Sequence, residues 1–202
     1  MRIHRFFALL SLATLVLCAA SFADSTFNLT ANGTGDIGST STFTGTSPAS
    51  LTLWGFSTQI SGGPADTHLF VKTGGGDENG VGLVNDPSPG EDEIAGHSFI
   101  QFSGVDLTSI TVGSVQSGES FQLWGSNVFG TLGTTIGLAG TADGSVALPA
   151  GFAFYSLTAP TGNVLLDSVS YSVPTPEPGT TAMILTLGLV GLFEVGRRKL
   201  MA

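Results

Sequence analysis

The chain has one cysteine in 202 residues, Cys18, so positions 24–175 can form neither disulfides nor thiolate metal sites. Charge is also scarce, since Asp, Glu, Lys and Arg make up 10% of the residues. No capped, helically periodic stretch occurs in the middle of the chain. Surface helices need charged faces, which argues against an all-helical or parallel α/β body. Cations are scarcest of all: Arg2, Arg5, Arg197, Arg198 and Lys199 lie near the two ends, leaving Lys72 alone against thirteen acids between positions 24 and 175. Without a Lys/Arg footprint this body has nothing to neutralise phosphates with, which excludes nucleic acid as a partner.

Glycine is abundant at 29 residues, about twice the usual share of ~7%. Apolar and polar positions alternate at Leu51-Thr52-Leu53, Phe99-Ile100-Gln101-Phe102, Ile110-Thr111-Val112, Phe121-Gln122-Leu123 and Phe152-Ala153-Phe154-Tyr155. Period two in runs rich in Thr, Val and Phe predicts strands. Gly62-Gly63-Pro64, Gly74-Gly75-Gly76, Pro87-Ser88-Pro89-Gly90, Ser117-Gly118, Ala142-Asp143-Gly144 and Thr161-Gly162-Asn163 supply the turns between them. The pattern predicts an all-β body of roughly eight to ten strands, an antiparallel β-sandwich of jelly-roll-like form.

The ends differ in kind from this body. Arg2 and Arg5 precede an apolar run from Phe6 to Leu17, and Ser21-Phe22-Ala23 places small residues at −3 and −1. This predicts a helical export signal over 1–23, cut by signal peptidase between Ala23 and Asp24. The run is shorter than the ~20 residues that span a bilayer, and Leu17 before Cys18 disfavours a lipoprotein signal. At the other end, Pro174, Pro176 and Pro178 break the chain. An uncharged run from Gly179 to Phe193 follows, then Glu194 and the cluster Arg197-Arg198-Lys199. A transmembrane helix with its basic end in the cytoplasm leaves the body outside. The expected division is therefore 1–23 signal, 24–173 body and 174–202 tail.

Pro176-Glu177-Pro178, a short apolar helix and an Arg-rich end resemble the PEP-CTERM sorting signal of exopolysaccharide-producing Gram-negative bacteria. The likeness covers about the last 29 residues. It implies transient anchoring in the inner membrane, recognition by an exosortase through Pro176, Glu177, Pro178 and the basic residues Arg197, Arg198 and Lys199, and delivery to the cell surface or extracellular matrix. Asp77-Glu78-Asn79-Gly80-Val81-Gly82-Leu83, Glu91-Asp92-Glu93-Ile94 and Phe99-Ile100-Gln101-Phe102 are similar to a pattern recurring in PEP-CTERM bodies. Residues 163–171 look like the closing strand of carbohydrate-binding jelly rolls.

Two features carry candidate chemistry. Leu-Trp-Gly occurs twice, and Trp54 and Trp124 are either core residues of two similar strands or aromatic faces for a sugar ring. The six acids Asp77, Glu78, Asp86, Glu91, Asp92 and Glu93, with Asn79 among them, form either a solvated acidic loop or a source of oxygen ligands for a structural Ca²⁺, the candidate ligands being Asp77, Asn79, Glu91, Asp92 and Glu93. Their spacing is not that of an EF-hand, because Gly80 stands three residues after Asp77 rather than five. Gly33-Thr34-Gly35-Asp36-Ile37-Gly38 matches a dinucleotide fingerprint in letters alone, with no helix after it. His68 and His97, with no G-x-S-x-G and no H-E-x-x-H, leave neither a nucleophilic triad signature nor a three-histidine zinc site in the body. The expectation is a secreted, non-enzymatic surface or matrix protein linked to exopolysaccharide or biofilm, with Ca²⁺ as the sole cofactor considered. A carbohydrate-binding module or lectin is the first rival. A glycoside-active enzyme with paired carboxylates from different strands is the second.

N-terminal sequencing of the exported protein is expected to begin at Asp24. A start at Cys18 carrying added lipid mass would refute the assigned cleavage.

Overall fold

A computed structural model of the chain describes residues 21–31, 33–46, 48–59 and 62–175. The signal helix expected over 1–23 falls outside this range except for its last three residues. Pro176, Glu177, Pro178, the expected transmembrane helix and Arg197, Arg198 and Lys199 lie outside it entirely. Among the described residues no helix is long and apolar enough to cross a membrane.

The described chain is all-β. Its strands are β1 (Ser21–Phe27), β2 (Gly35–Asp36), β3 (Thr40–Thr44), β4 (Ser50–Phe56), β5 (Leu69–Thr73), β6 (Asn79–Leu83), β7 (Ile94–Ala95), β8 (Phe99–Gly104), β9 (Leu107–Gly113), β10 (Ser120–Ser126), β11 (Thr134–Gly140), β12 (Gly144–Ala147), β13 (Phe154–Thr161) and β14 (Asn163–Thr175). They form two antiparallel sheets in a sandwich-like arrangement. One runs β12-β9-β14-β6-β5-β2, with β1 and β7 also pairing β14; the other runs β11-β10-β13-β8-β4-β3. The excess over eight to ten strands comes from pieces such as β2 and β7, two residues each, too short to show any alternation in sequence.

The alternating runs bury one face as expected. Leu51 and Leu53 of β4 and Leu123 of β10 are at most 1% exposed, and Phe102 and Leu157 share their side of the sheet. From the other sheet come Leu69, Val71, Val81, Leu83, Ile110 and Val112, all fully buried. Each such side chain contributes about 1.5–3 kcal/mol relative to exposure, enough for a core without crosslinks.

The outer faces differ. On β6 the sequence Asn79-Gly80-Val81-Gly82-Leu83 sends Val81 and Leu83 inward and leaves Gly82 on the outside. Residues 92–93 lie directly on that bare position: a methyl group built on Gly82 would meet the Asp92 carbonyl oxygen and stand 2.6 Å from the Glu93 Cα. Glycine is therefore required here to let the acidic segment lie flat against the sheet.

Gly82→Ala is expected to lower stability by about 1–3 kcal/mol through this overlap. Urea denaturation monitored by tryptophan fluorescence measures it, and an unchanged midpoint would contradict the close approach.

Candidate functional site

Lys72, the sole cation between positions 24 and 175, sits on β5 one residue past the inward-facing Val71, so its side chain emerges on the outer face under the acidic segment. Its ammonium pairs with Glu78 Oε2 at 2.6 Å and with Glu93 Oε1, and it donates to the Glu91 carbonyl at 3.2 Å. The Glu93 side chain is 3% exposed. Ser114 Oγ donates to Glu78 Oε1 at 3.0 Å, and Asn163 Nδ2 donates to Glu93 Oε2 at 2.7 Å. Ser114 has φ 61°, a left-handed turn after β9 that directs its hydroxyl toward the carboxylates. One ammonium, two carboxylates, a hydroxyl and an amide thus close a network joining β5, β6, β9, β14 and the acidic segment.

The titration behaviour follows from this geometry. Burial works against the Lys72 charge, but the hydrogen bonds from its ammonium to Glu78 and Glu93 prevail and raise its pKa. Hydrogen bonding to Lys72 holds Glu78 below the ordinary carboxylate range. Burial, joined by the charge of Glu78, pushes Glu93 above that range against the pull of Lys72.

The five residues considered as Ca²⁺ ligands separate in space and role. Asp77 and Glu91 are exposed. Asn79 closes the 75–79 turn, its Nδ2 donating to the Gly76 carbonyl at 2.9 Å and its Oδ1 accepting from Gly75 N. Asp92 Oδ1 accepts from the Asn85 amide at 2.7 Å, and Glu93 turns inward to Lys72. Among the described residues no group of three or more His, Cys, Asp or Glu side chains is placed to hold a metal ion.

Trp54 and Trp124, both half-buried, belong to one row across the outer face of the second sheet. The register sets Thr40, Trp54, Gln101, Ser156, Trp124 and Thr135 side by side on successive strands. Three strand spacings of ~4.8 Å separate the two indoles. A loop crosses the middle of this row. Gly130 N donates to Gln101 Oε1 at 2.8 Å, and Gln101 Nε2 donates to the Thr131 carbonyl at 3.1 Å and to Ser156 Oγ at 3.3 Å. Phe129 of the same loop packs edge-on against Trp54, Phe56 and Phe154 at centroid distances of 5.2, 5.6 and 5.8 Å. Trp54 therefore belongs to a second, outer apolar cluster. Trp124 donates from Nε1 to Thr158 Oγ1 at 3.0 Å.

His68 Nδ1 lies 2.8 Å from Asp36 Oδ2 and His97 Nε2 lies 3.3 Å from Asp86 Oδ1, each ring more than half exposed and the two on different loops. Sequence reasoning missed the roles of Glu78, Ser114 and Asn163. The signal available for Glu78 was electrostatic: one lysine among thirteen acids attracts the carboxylates nearest to it. No protein-family model, curated protein or solved structure matches the chain.

Lys72→Met leaves Glu78 and Glu93 facing each other without a counter-ion and is expected to cost about 3 kcal/mol, the low end for a broken buried pair because Lys72 is 23% exposed. The pH dependence has a defined sign. A carboxyl raised in the folded state binds more protons there than in the unfolded chain, so Glu93 erodes stability as pH climbs from the unfolded value of ~4.3 through its own raised value. Chemical denaturation across that window is expected to show a shallower fall for Glu93→Gln than for the native protein. Parallel curves would rule out a raised Glu93.

Proposed function

We propose that this chain is a secreted, non-enzymatic surface or matrix protein. A Sec signal carries it across the inner membrane, signal peptidase cuts between Ala23 and Asp24, and an exosortase recognises Pro176-Glu177-Pro178 and releases the body. The site of action is the cell surface or exopolysaccharide matrix. The observation that carries this reading is the extent of the compact body: residues Asp24–Ser172 cluster as one unit. That unit begins at the proposed mature N-terminus and stops just short of the proline-rich break. Cutting after Ala23 trims three residues from β1, of which Phe22 and Ala23 are exposed.

Two further properties suit the assignment. The core is built from fully buried aliphatic and aromatic residues with no need of disulfides, so folding outside the cell requires no oxidising machinery. The acidic surface keeps the chain soluble and repels nucleic acid. We read the sandwich as jelly-roll-like because from β8 onward the chain changes sheet at every connection but one, β10 to β11.

Sorting provides the test. Glu177→Ala is expected to leave the protein in the membrane with its C-terminal tail uncut, while the body keeps its melting temperature. Fractionation and intact-mass measurement read both. Release of this variant at the wild-type rate would refute exosortase recognition.

A further inference from the structure

On the first sheet, β14 pairs β9 and changes its other partners along its length, with β7 at Asn163 and Val164. It meets β6 at Leu166 opposite Val81, and further along it pairs β1, with Thr26 Oγ1 3.4 Å from Ser170 Oγ. Just past the β6 pairing the ladder with β9 slips: Leu166 faces Val112 and Ser168 faces Thr111, so Asp167 is an extra, bulged residue. A bulge leaves one residue unpaired and redirects its side chain. Gly80, at φ 144°, brings β6 close to this point, where a methyl group would stand 2.6 Å from the Leu166 carbonyl oxygen.

The result is a cleft of about 280 Å³ lined by Asp167 and Ser168 of β14, Thr26 of β1, Asn28 just after it, Thr73 of β5 and Asn79 of β6, among others. Its polar groups are unevenly committed. Asn28 Oδ1 accepts from Thr30 N at 3.1 Å and from Thr30 Oγ1 at 2.9 Å, while Thr73 Oγ1 is engaged with Thr34 Oγ1 and the Asn79 amide with its turn. Among the described residues, the Asp167 carboxylate, the Ser168 hydroxyl and the Asn28 Nδ2 have no side-chain hydrogen bond or ion pair within the protein. One strong acceptor, one amide donor and one hydroxyl that does both are therefore left uncommitted on residues that line this open space, which Phe27 and Leu29 also border.

We propose that this cleft binds a single neutral sugar ring, with the Asp167 carboxylate accepting from two adjacent hydroxyls and Asn28 Nδ2 and Ser168 Oγ completing the contacts. The volume lies just below the roughly 300–1,000 Å³ usual for small-molecule sites, which suits one hexose rather than a chain running through. The donor set disfavours a divalent cation, which takes six to eight oxygens and is repelled by an amide N–H. Burial, assisted by the charge of Asp143, raises the Asp167 pKa, which also weakens it as a cation ligand. The exopolysaccharide of the proposed function is the natural source of such a ring, and to that extent the inference rests on that reading. Ligand binding and sorting are separable, because Glu177→Ala leaves the cleft untouched.

The test is saturation-transfer NMR on the full chain in a detergent without sugar headgroups, with D-glucose, D-galactose, D-mannose and N-acetyl-D-glucosamine at millimolar concentration. At least one sugar is expected to give a signal that disappears in Asp167→Ala and weakens in Ser168→Ala, with melting temperatures unchanged, while Trp124→Ala retains it. Should Asp167→Ala fail to fold, Ser168→Ala together with Asn28→Ala decides by the same loss. Four results would overturn the proposal: no signal from any of the four sugars; a signal that survives in the folded cleft variants; a signal lost in Trp124→Ala instead, which moves binding to the other sheet; or a rise in melting temperature with CaCl₂ alone that Asp167→Ala abolishes, which makes the cleft a cation site.

Discussion

A single ammonium group holds the acidic side of this molecule together. Thirteen acids and one lysine between positions 24 and 175 leave no second cation to share the work, and Lys72 is placed where the carboxylates are most crowded. Without it, Glu93 would be a charge 3% exposed with a like charge beside it. With it, the 91–93 segment is tied down on β6 and the Ser114 turn and Asn163 gain partners. The flat approach that Gly82 permits has value because Lys72 waits at its end.

How much of this was legible in sequence depends on whether the cause is local. Strand alternation at Leu51-Thr52-Leu53 and Phe121-Gln122-Leu123 is local, and the all-β reading with two antiparallel sheets followed from it. Alternation at Phe99-Ile100-Gln101-Phe102 gave the strand but hid the burial: all four are fully buried or nearly so, because a loop some thirty residues later covers the outer pair. The acidic segment shows the same limit. Six acids within residues 77–93 read as one cluster in sequence. In space a turn, a capped amide and an ion pair pull them apart. The bulge at Asp167 could not be seen at all, since it exists only as a mismatch between two strands that pair across more than fifty residues.

The two sheets use their outer faces in opposite ways. On the second sheet a loop anchored by Gln101 builds a small aromatic cluster of Trp54, Phe56, Phe129 and Phe154, extending the core through the sheet. On the first sheet the covering segment is charged, and beside it the change of partners along β14 leaves a polar opening. The core that both sheets share is thus extended by apolar side chains on the outer face of the second sheet, while the available polar groups lie on that of the first.

The thirteen-residue strand β14 is the last described element before the tail, and it lies inside its sheet with partners on both edges. A pull applied to the C-terminal end of β14 along the strand would load it lengthwise. Hydrogen bonds of a strand loaded along its length stand across the pull and share it, so they must fail together rather than one after another. The placement of β14 makes its shared hydrogen bonds, rather than a single turn, what a pull on its C-terminal end has to break.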